Sequence, residues 1–292
     1  MAEPTDPPVL TLDPDLRGLL GPRLVALTGA GLSTDSGIPD YRGPGKPVRT
    51  PMTYQEFVAA PEAQQRYWAR AHVGWSRMGT AHPNDGHRAL AGLEAEGRLR
   101  LLITQNVDGL HEAAGSAQVV ALHGRISEVV CLDCRRRSPR STMQRRLGEL
   151  NPGWLAAHHE ATARPDGDVE LDDTSDFRVP ACEGCGGRLK PDVVFFGESV
   201  PKDRVQRCYD ALDDADALLV AGSSLAVMSG LRFVRYAAKA GLPVVIVNRG
   251  PTRGDDLATH KVEAGTSEWL RALCGRDEDV LGGLGDDLGR LA

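Results

Sequence analysis

Two Cys-x-x-Cys pairs, Cys131/Cys134 and Cys182/Cys185, tie together segments that lie far apart in the chain. A two-residue spacer lets both sulfurs of a knuckle reach one ion, and four soft thiolates fill the tetrahedral shell that zinc prefers. The fold must then bring residue 131 beside residue 182 across the 47 residues from 135 to 181. Two disulfides would need an oxidising compartment, of which the chain shows no sign, and a redox dithiol needs one pair rather than two. Four protein ligands leave no site for water, so the expected metal is structural. Cys208 and Cys274 fall outside the motif and read as small buried hydrophobes.

Short apolar runs recur elsewhere, at Leu24 to Leu27, Leu101 to Ile103, Val119 to Leu122, Val193 to Phe196, Leu218 to Val220 and Val244 to Val247. Runs of this length suit strands buried on both faces, as in a parallel sheet covered by helices. Helices are expected between them, for example over Gly86 to Glu96 and Pro201 to Asp213. The alternation reads as an α/β fold with a doubly wound, Rossmann-like parallel sheet and a small inserted zinc-binding plus helical domain. The expected division has an N-terminal extension over 1–20 and a main domain built from 21–45, 83–125 and 190–275. A helical module over 46–82 carries Tyr54, Phe57, Tyr67, Trp68 and Trp75, which read as core. The zinc module over 126–189 contains the run Arg135 to Arg137, read as a solvated face, and an Asp-rich stretch from Pro165 to Asp176. Residues 276–292 read as a tail.

Of 292 residues, 34 are basic and 40 acidic, and the net charge of −6 argues against a general nucleic-acid binder. No apolar run approaches the length of a membrane span, and the N-terminus shows neither a signal nor a transit pattern. A monomeric, cytoplasmic protein is expected.

The first strand runs into Thr28-Gly29-Ala30-Gly31-Leu32-Ser33, where a chain entering a helix presents free N–H groups to an anion. Glycines there let the backbone approach a pyrophosphate. The motif is half a dinucleotide fingerprint, because Thr34 stands where a third small residue belongs and no acidic ribose ligand can be placed. A plain tight turn is the alternative. The following loop, Ser36 to Gly43, is punctuated by Gly and Pro and ends in a charged and aromatic cluster, as loops that close over ligands do.

With GAGLSTDSGIPDYRG the chain resembles the sirtuin (Sir2) family. The resemblance continues in order through TQNVDGLHEAAG (104–115), LHG (122–124), the four cysteines, KPDVVFFGE (190–198), GSSLAV (222–227) and VNRGPTRGDD (247–256). The segments YWARAHVGW and GPTRGDD, with the long insert, resemble the class II branch of that family. Only five of the basic residues are lysines, which fits a GC-rich bacterial genome.

The resemblance implies an NAD-dependent deacylase of protein lysines. In that reaction nicotinamide leaves as the acyl oxygen of the modified lysine attacks the anomeric carbon, and the products are free lysine and 2′-O-acyl-ADP-ribose. By resemblance, Gln105 and Asn106 contact the ribose nearest the nicotinamide, and Asp108 with Ile38 holds the carboxamide. Gly29, Ala30, Gly31, Ser33, Pro39, Asp40, Tyr41, Arg42 and Val107 also belong to the NAD site in this reading. Gly222, Ser223 and Ser224 bind phosphate or ribose, while Asn248, Arg249 and Gly250 meet the adenosine, with backbone near Thr266 under the adenine. Ordinary strand-to-helix turns, and helix capping by Asn106 or Asp108, are the bland alternatives.

Asn106 and His123 occupy the positions that the resemblance makes catalytic, and the other seven histidines are discounted as structural. An imidazole with an ordinary pKa near 6.5 can act as general base on a ribose hydroxyl. Phe196-Gly197-Glu198 and Leu225-Ala226-Val227 resemble the edges between which the acylated peptide lies as an added strand. Tyr67 and Arg70 share one helix face, and in parts of the family such a pair recognises acidic acyl groups, whereas the class II surroundings leave the acyl chain open. Protein mono-ADP-ribosyl transfer and a non-catalytic NAD sensor or docking module are the alternatives. The intact Asn106, Asp108 and His123 argue against the last.

Overall fold

The computed structural model describes residues 14–40, 51–78, 80–158, 171 and 173–275. Among them, nine strands form two sheets: β1 (Leu24–Thr28), β2 (Leu99–Thr104), β3 (Val119–Ala121), β4 (Gly124–Cys131), β5 (Arg137–Pro139), β6 (Leu189–Val193), β7 (Ala217–Ala221), β8 (Val244–Val247) and β9 (His260–Val262). The larger sheet is parallel throughout, in the order β3-β2-β1-β7-β8-β9, and the smaller is antiparallel, in the order β5-β4-β6. The larger order is that of a doubly wound dinucleotide fold.

Helices α1 (Pro14–Leu20), α2 (Tyr54–Ala59), α3 (Pro61–Met78), α4 (Asp85–Ala95), α5 (Leu110–Ala113), α6 (Arg140–Leu150), α7 (Trp154–Ala157), α8 (Lys202–Asp213), α9 (Met228–Lys239) and α10 (Thr266–Leu273) surround the strands. Among the described residues none is long and apolar enough to cross a membrane.

Side chains along a strand alternate between faces, so a sheet covered on both sides needs two cores. On one face Leu24, Ala26, Leu102, Leu219, Val245 and Val247 pack under α1, α4 and α10. On the other, Val25, Leu27, Ile103, Leu218, Val220 and Ile246 pack under α8 and α9. Each such Leu, Ile or Val removed from water contributes about 2 kcal/mol before chain entropy is counted. Leu16 and Leu20, four apart on α1, are buried in the first core, so residues 14–20 pack on the sheet and are not a bare extension. Cys208 is buried in the second core, and the Cys274 thiol rests on Ala89 O at 3.4 Å.

A third core joins α3 and α6 to the small sheet through Trp68, Val129, Met143, Leu147, Phe177 and Leu189. Trp68 Nε1 donates to Leu189 O at 2.9 Å. Arg140, only 1% exposed, lies 5.3 Å from the Trp68 ring and 4.8 Å from that of Trp75, and donates to Gln144 Oε1 and Ala71 O. The helical and cysteine-bearing segments thus form one body. Arg135, Arg136 and Arg137 are exposed, as a solvated face requires. Most of the Asp-rich stretch and the tail 276–292 lie outside the described residues.

Two expectations are corrected. The run Val193 to Phe196 is not a strand of the parallel sheet: β6 ends at Val193 in the small sheet, and the chain then crosses between the two bodies. Val194 N donates to His123 O, Phe196 O accepts from Tyr54 N, and Phe195 packs edge-on against Phe57, so these residues are apolar for aromatic packing rather than for a ladder. The chain after Gly31 does not enter an α-helix either. It makes two 3₁₀ turns, Ala30–Leu32 and Thr34–Ser36, where Thr34 Oγ1 bonds back to Gly31 O and competes with helical pairing.

Candidate active site

The large sheet reverses its winding between β1 and β7, and in open α/β sheets ligands bind beyond the carboxyl ends of the strands at such a point. The two loops that follow these strands lock together, Gly31 N donating to Gly222 O at 2.8 Å and Gly29 N to Ala221 O at 3.2 Å. A Cβ on Gly31 would stand 2.9 Å from Gly222 O, and one on Gly222, where φ is +65°, would overlap Leu32 N. Only glycine allows two main chains to approach so closely, and the result is a floor of bare backbone. Above it opens a cleft of about 1350 Å³. It is lined by every residue assigned above to NAD, catalysis or substrate, except Tyr41 and Arg42, which lie outside the described residues.

Gln105 to Asp108 leave β2 at the same end. The Asn106 amide donates to Gly29 O and Ser33 Oγ, both at 3.0 Å, and Ser33 Oγ donates to Asp108 Oδ2 at 2.7 Å. Leu110 N donates to Asp108 Oδ1 at 2.9 Å, so Asp108 also satisfies the first amide of α5. Burial pushes the Asp108 carboxyl up, and these two bonds work against that. Ser223 Oγ donates to Gln105 Oε1 at 2.6 Å. Behind this row, Asn106 N donates to Thr104 Oγ1, Thr28 bridges Thr104 to His111 Nε2 at 2.9 Å, and the rings of His111 and His87 lie 4.7 Å apart. Both of these imidazoles are buried, as structural histidines would be.

His123 follows β3. Its Nδ1 lies 2.9 Å from the Gln105 carbonyl, which can only accept, so Nδ1 carries the proton and Nε2 the lone pair. Ser229 Oγ, in the first turn of α9, lies 2.8 Å from Nε2. Burial holds the imidazole below its ordinary range, the Gln105 bond opposes that, and the Arg204 guanidinium adds to it. The result is a neutral imidazole at the cleft whose Nε2 meets the Ser229 hydroxyl.

Several assigned side chains brace the main chain. Thr266 Oγ1 donates to Gly31 O at 3.3 Å, and the Asn248 amide turns back onto Arg249 O and Gly250 O. Leu225 is 1% exposed and holds a left-handed φ of +53°, its N–H bonded to Ser223 Oγ. The Glu198 carboxylate is turned inward, accepting from Phe195 N at 3.0 Å and pairing at 3.0 Å with buried Lys190. Phe196 is exposed beside it. Tyr67 is both core and lining, its ring 5.4 Å from Phe57 and Trp68 and 5.3 Å from Phe195. Sequence reasoning missed Ser229, Arg66 and Arg232, all at the cleft wall. For Ser229 a signal existed, since it lies two residues beyond GSSLAV.

The four motif cysteines converge, with all sulfurs within 4.8 Å of one another and every thiol free. Cys131 Sγ lies 3.6 Å from Cys185 Sγ, and Cys134 Sγ 3.8 Å from Cys182 Sγ. A tetrahedral zinc with bonds of about 2.3 Å spaces its sulfurs by roughly 3.8 Å, so the donor set fits a structural zinc ion.

Fold and site together define a dinucleotide-binding α/β protein with an inserted four-cysteine module. Residues 29–229 match the model of the Sir2 family. A Mycobacterium avium protein named NAD-dependent protein deacetylase 1 is 54% identical over 258 residues, covering 87% of this chain and 92% of that one. A Streptomyces coelicolor protein of the same name is 58% identical over 243 residues, covering 82% and 81%. Among solved structures, a Sir2–peptide–NAD+ complex matches with a TM-score of 0.72 at 32% identity, covering 93% of this chain and 99% of that one. Sir2Tm bound to a propionylated peptide matches with a TM-score of 0.66 at 32% identity, covering 90% and 94%. The chain belongs to the Sir2 family.

Proposed function

We propose that the chain removes acyl groups from protein lysine side chains with NAD as co-substrate, releasing nicotinamide and 2′-O-acyl-ADP-ribose. The observation that carries this reading is the neutral His123, its Nε2 lone pair facing a cleft that also holds the Asn106–Ser33–Asp108 network. Relatives at 54% and 58% identity bear the name of NAD-dependent protein deacetylases.

In this reading the interlocked loops at Gly29–Gly31 and Gly222 receive the pyrophosphate, and main chain near Asn248 and Gly250 receives the adenosine. Gln105 and Asn106 hold the ribose nearest the nicotinamide, and Ile38 and Asp108 the carboxamide. NAD supplies the anomeric carbon and the leaving base. His123 Nε2 takes the proton of a ribose hydroxyl as that oxygen's electron pair attacks the acyl-derived carbon. The reaction asks for a dry, positioned cleft rather than a strong side-chain nucleophile, which fits a site built of backbone, amides and one imidazole.

Tyr67 and Arg70 line the cleft, and in our reading they meet the acyl chain, Arg70 favouring succinyl- or glutaryl-type groups. Equal turnover of acetyl- and succinyl-peptides, unchanged in Arg70→Met, would remove that part. The same reading places the chain in the class II branch and has it act as a cytoplasmic monomer, which sedimentation and fractionation check.

Mass spectrometry of an acyl-peptide panel incubated with NAD tests the whole. Acyl-ADP-ribose should form with the wild type and not with His123→Tyr. Binding of NAD without nicotinamide release on any acyl-peptide would overturn the proposal, and ADP-ribosylated protein as the main product would replace it with transferase activity.

A further inference from the structure

We infer that Ser229 is a positioning residue for the base, holding His123 through a hydroxyl that suits both protonation states of the imidazole. The inference rests on the reading of His123 as general base.

Ser229 is the second residue of α9, where a serine hydroxyl commonly turns onto the backbone of its own helix. Here it reaches across to the turn after β3 and meets Nε2 at 2.8 Å. The first turn of α9 is seated against that region, since a Cβ on Gly230 would fall 2.7 Å from Gln105 Nε2. Two different elements therefore hold the ring, the Gln105 carbonyl at Nδ1 and the Ser229 hydroxyl at Nε2, and together they fix its plane and direction.

The chemistry of a hydroxyl makes the second anchor useful through the reaction. While His123 is neutral, Ser229 Oγ–H donates to the Nε2 lone pair. When a ribose hydroxyl arrives it must offer its proton to the same lone pair, so the serine hydrogen rotates away. Once the ribose O–H bond has broken and Nε2–H has formed, Ser229 Oγ accepts from the new N–H. An alanine can do neither, and a threonine can do both. The amino end of α9 disfavours an imidazolium nearby, which raises the value of an acceptor there.

The test compares Ser229→Ala and Ser229→Thr in two assays on the zinc-loaded protein. One is exchange of labelled nicotinamide into NAD in the presence of acyl-peptide, which reports the step before the base acts. The other is the kcat for acyl-ADP-ribose formation. Ser229→Ala should lower product formation about tenfold more than it lowers exchange, the worth of one hydrogen bond at the reacting centre, and Ser229→Thr should recover most of it. Equal loss in both assays, or an alanine variant with the wild-type ratio, overturns the inference. Absence of exchange in the wild type would instead overturn the deacylase reading beneath it.

Discussion

The bond from His123 Nδ1 to the Gln105 carbonyl leaves the lone pair on Nε2, the nitrogen proposed as the base, and burial keeps that ring below its ordinary range. A base works only unprotonated, so activity should fall as pH drops through the lowered value. In a plot of log kcat/KM for NAD against pH, which reports the free enzyme, the acid limb should break below about 6.5, and a break at or above that value would exclude this imidazole as the titrating base. His123 and Asn106 were expected at the cleft because they ride on ordered motifs next to strand ends, and both line it. Ser229 was not singled out: its place just beyond GSSLAV was a signal for the cleft, but its contact with His123, 106 residues away, is made only by folding. Thr266 and Asn248 were expected at the cleft and line it, but Thr266 turns onto the Gly31 carbonyl that folding brings near, and Asn248 onto Gly250 O in its own turn.

The four cysteines close the small sheet at the end where Cys131 pairs with Leu189, and Trp68 seals the same end by donating to Leu189 O. Metal binding of this kind is folding free energy for the segment that carries it. Chelation, or Cys131→Ala, should therefore lower the melting temperature and shift Trp68 emission to the red as α3 separates from β6; a variant of unchanged stability and emission would show that the sulfurs carry no ion. The edge strand β9 of the large sheet, His260–Val262, is partly exposed and carries no apolar run, whereas β1, β2, β3, β7 and β8 were legible because burial on both faces gives them such runs. Val193 to Phe196 carried the same signature for another reason, a ring cluster with Phe57 and Tyr67, and composition cannot separate the two. Helices α6 and α7, inside the long insert, carry weak patterns of their own and take their place from the shared third core.

Across the molecule, the buried pair His87 and His111 ties α4 and α5 to the end of β1. Burial holds the His87 imidazole down to about 4 and that of His111 well below its ordinary range. Unfolded, both protonate near 6.5, so between about 6.5 and 4 the unfolded chain binds more protons, and stability falls as pH is lowered through that window. Above 6.5 the effect is absent, and His87 alone accounts for about 3 kcal/mol at the acid end. Urea midpoints at pH 7.5 and pH 5 should differ accordingly, with a shallower drop in His87→Asn, and coincident midpoints would contradict the linkage. Arg17 of α1 donates to Ala272 O at the close of α10, beside the strand starts and opposite the cleft. Immobilised on a sensor chip by either end of this ordered body, the enzyme would present its mouth to the flowing solution.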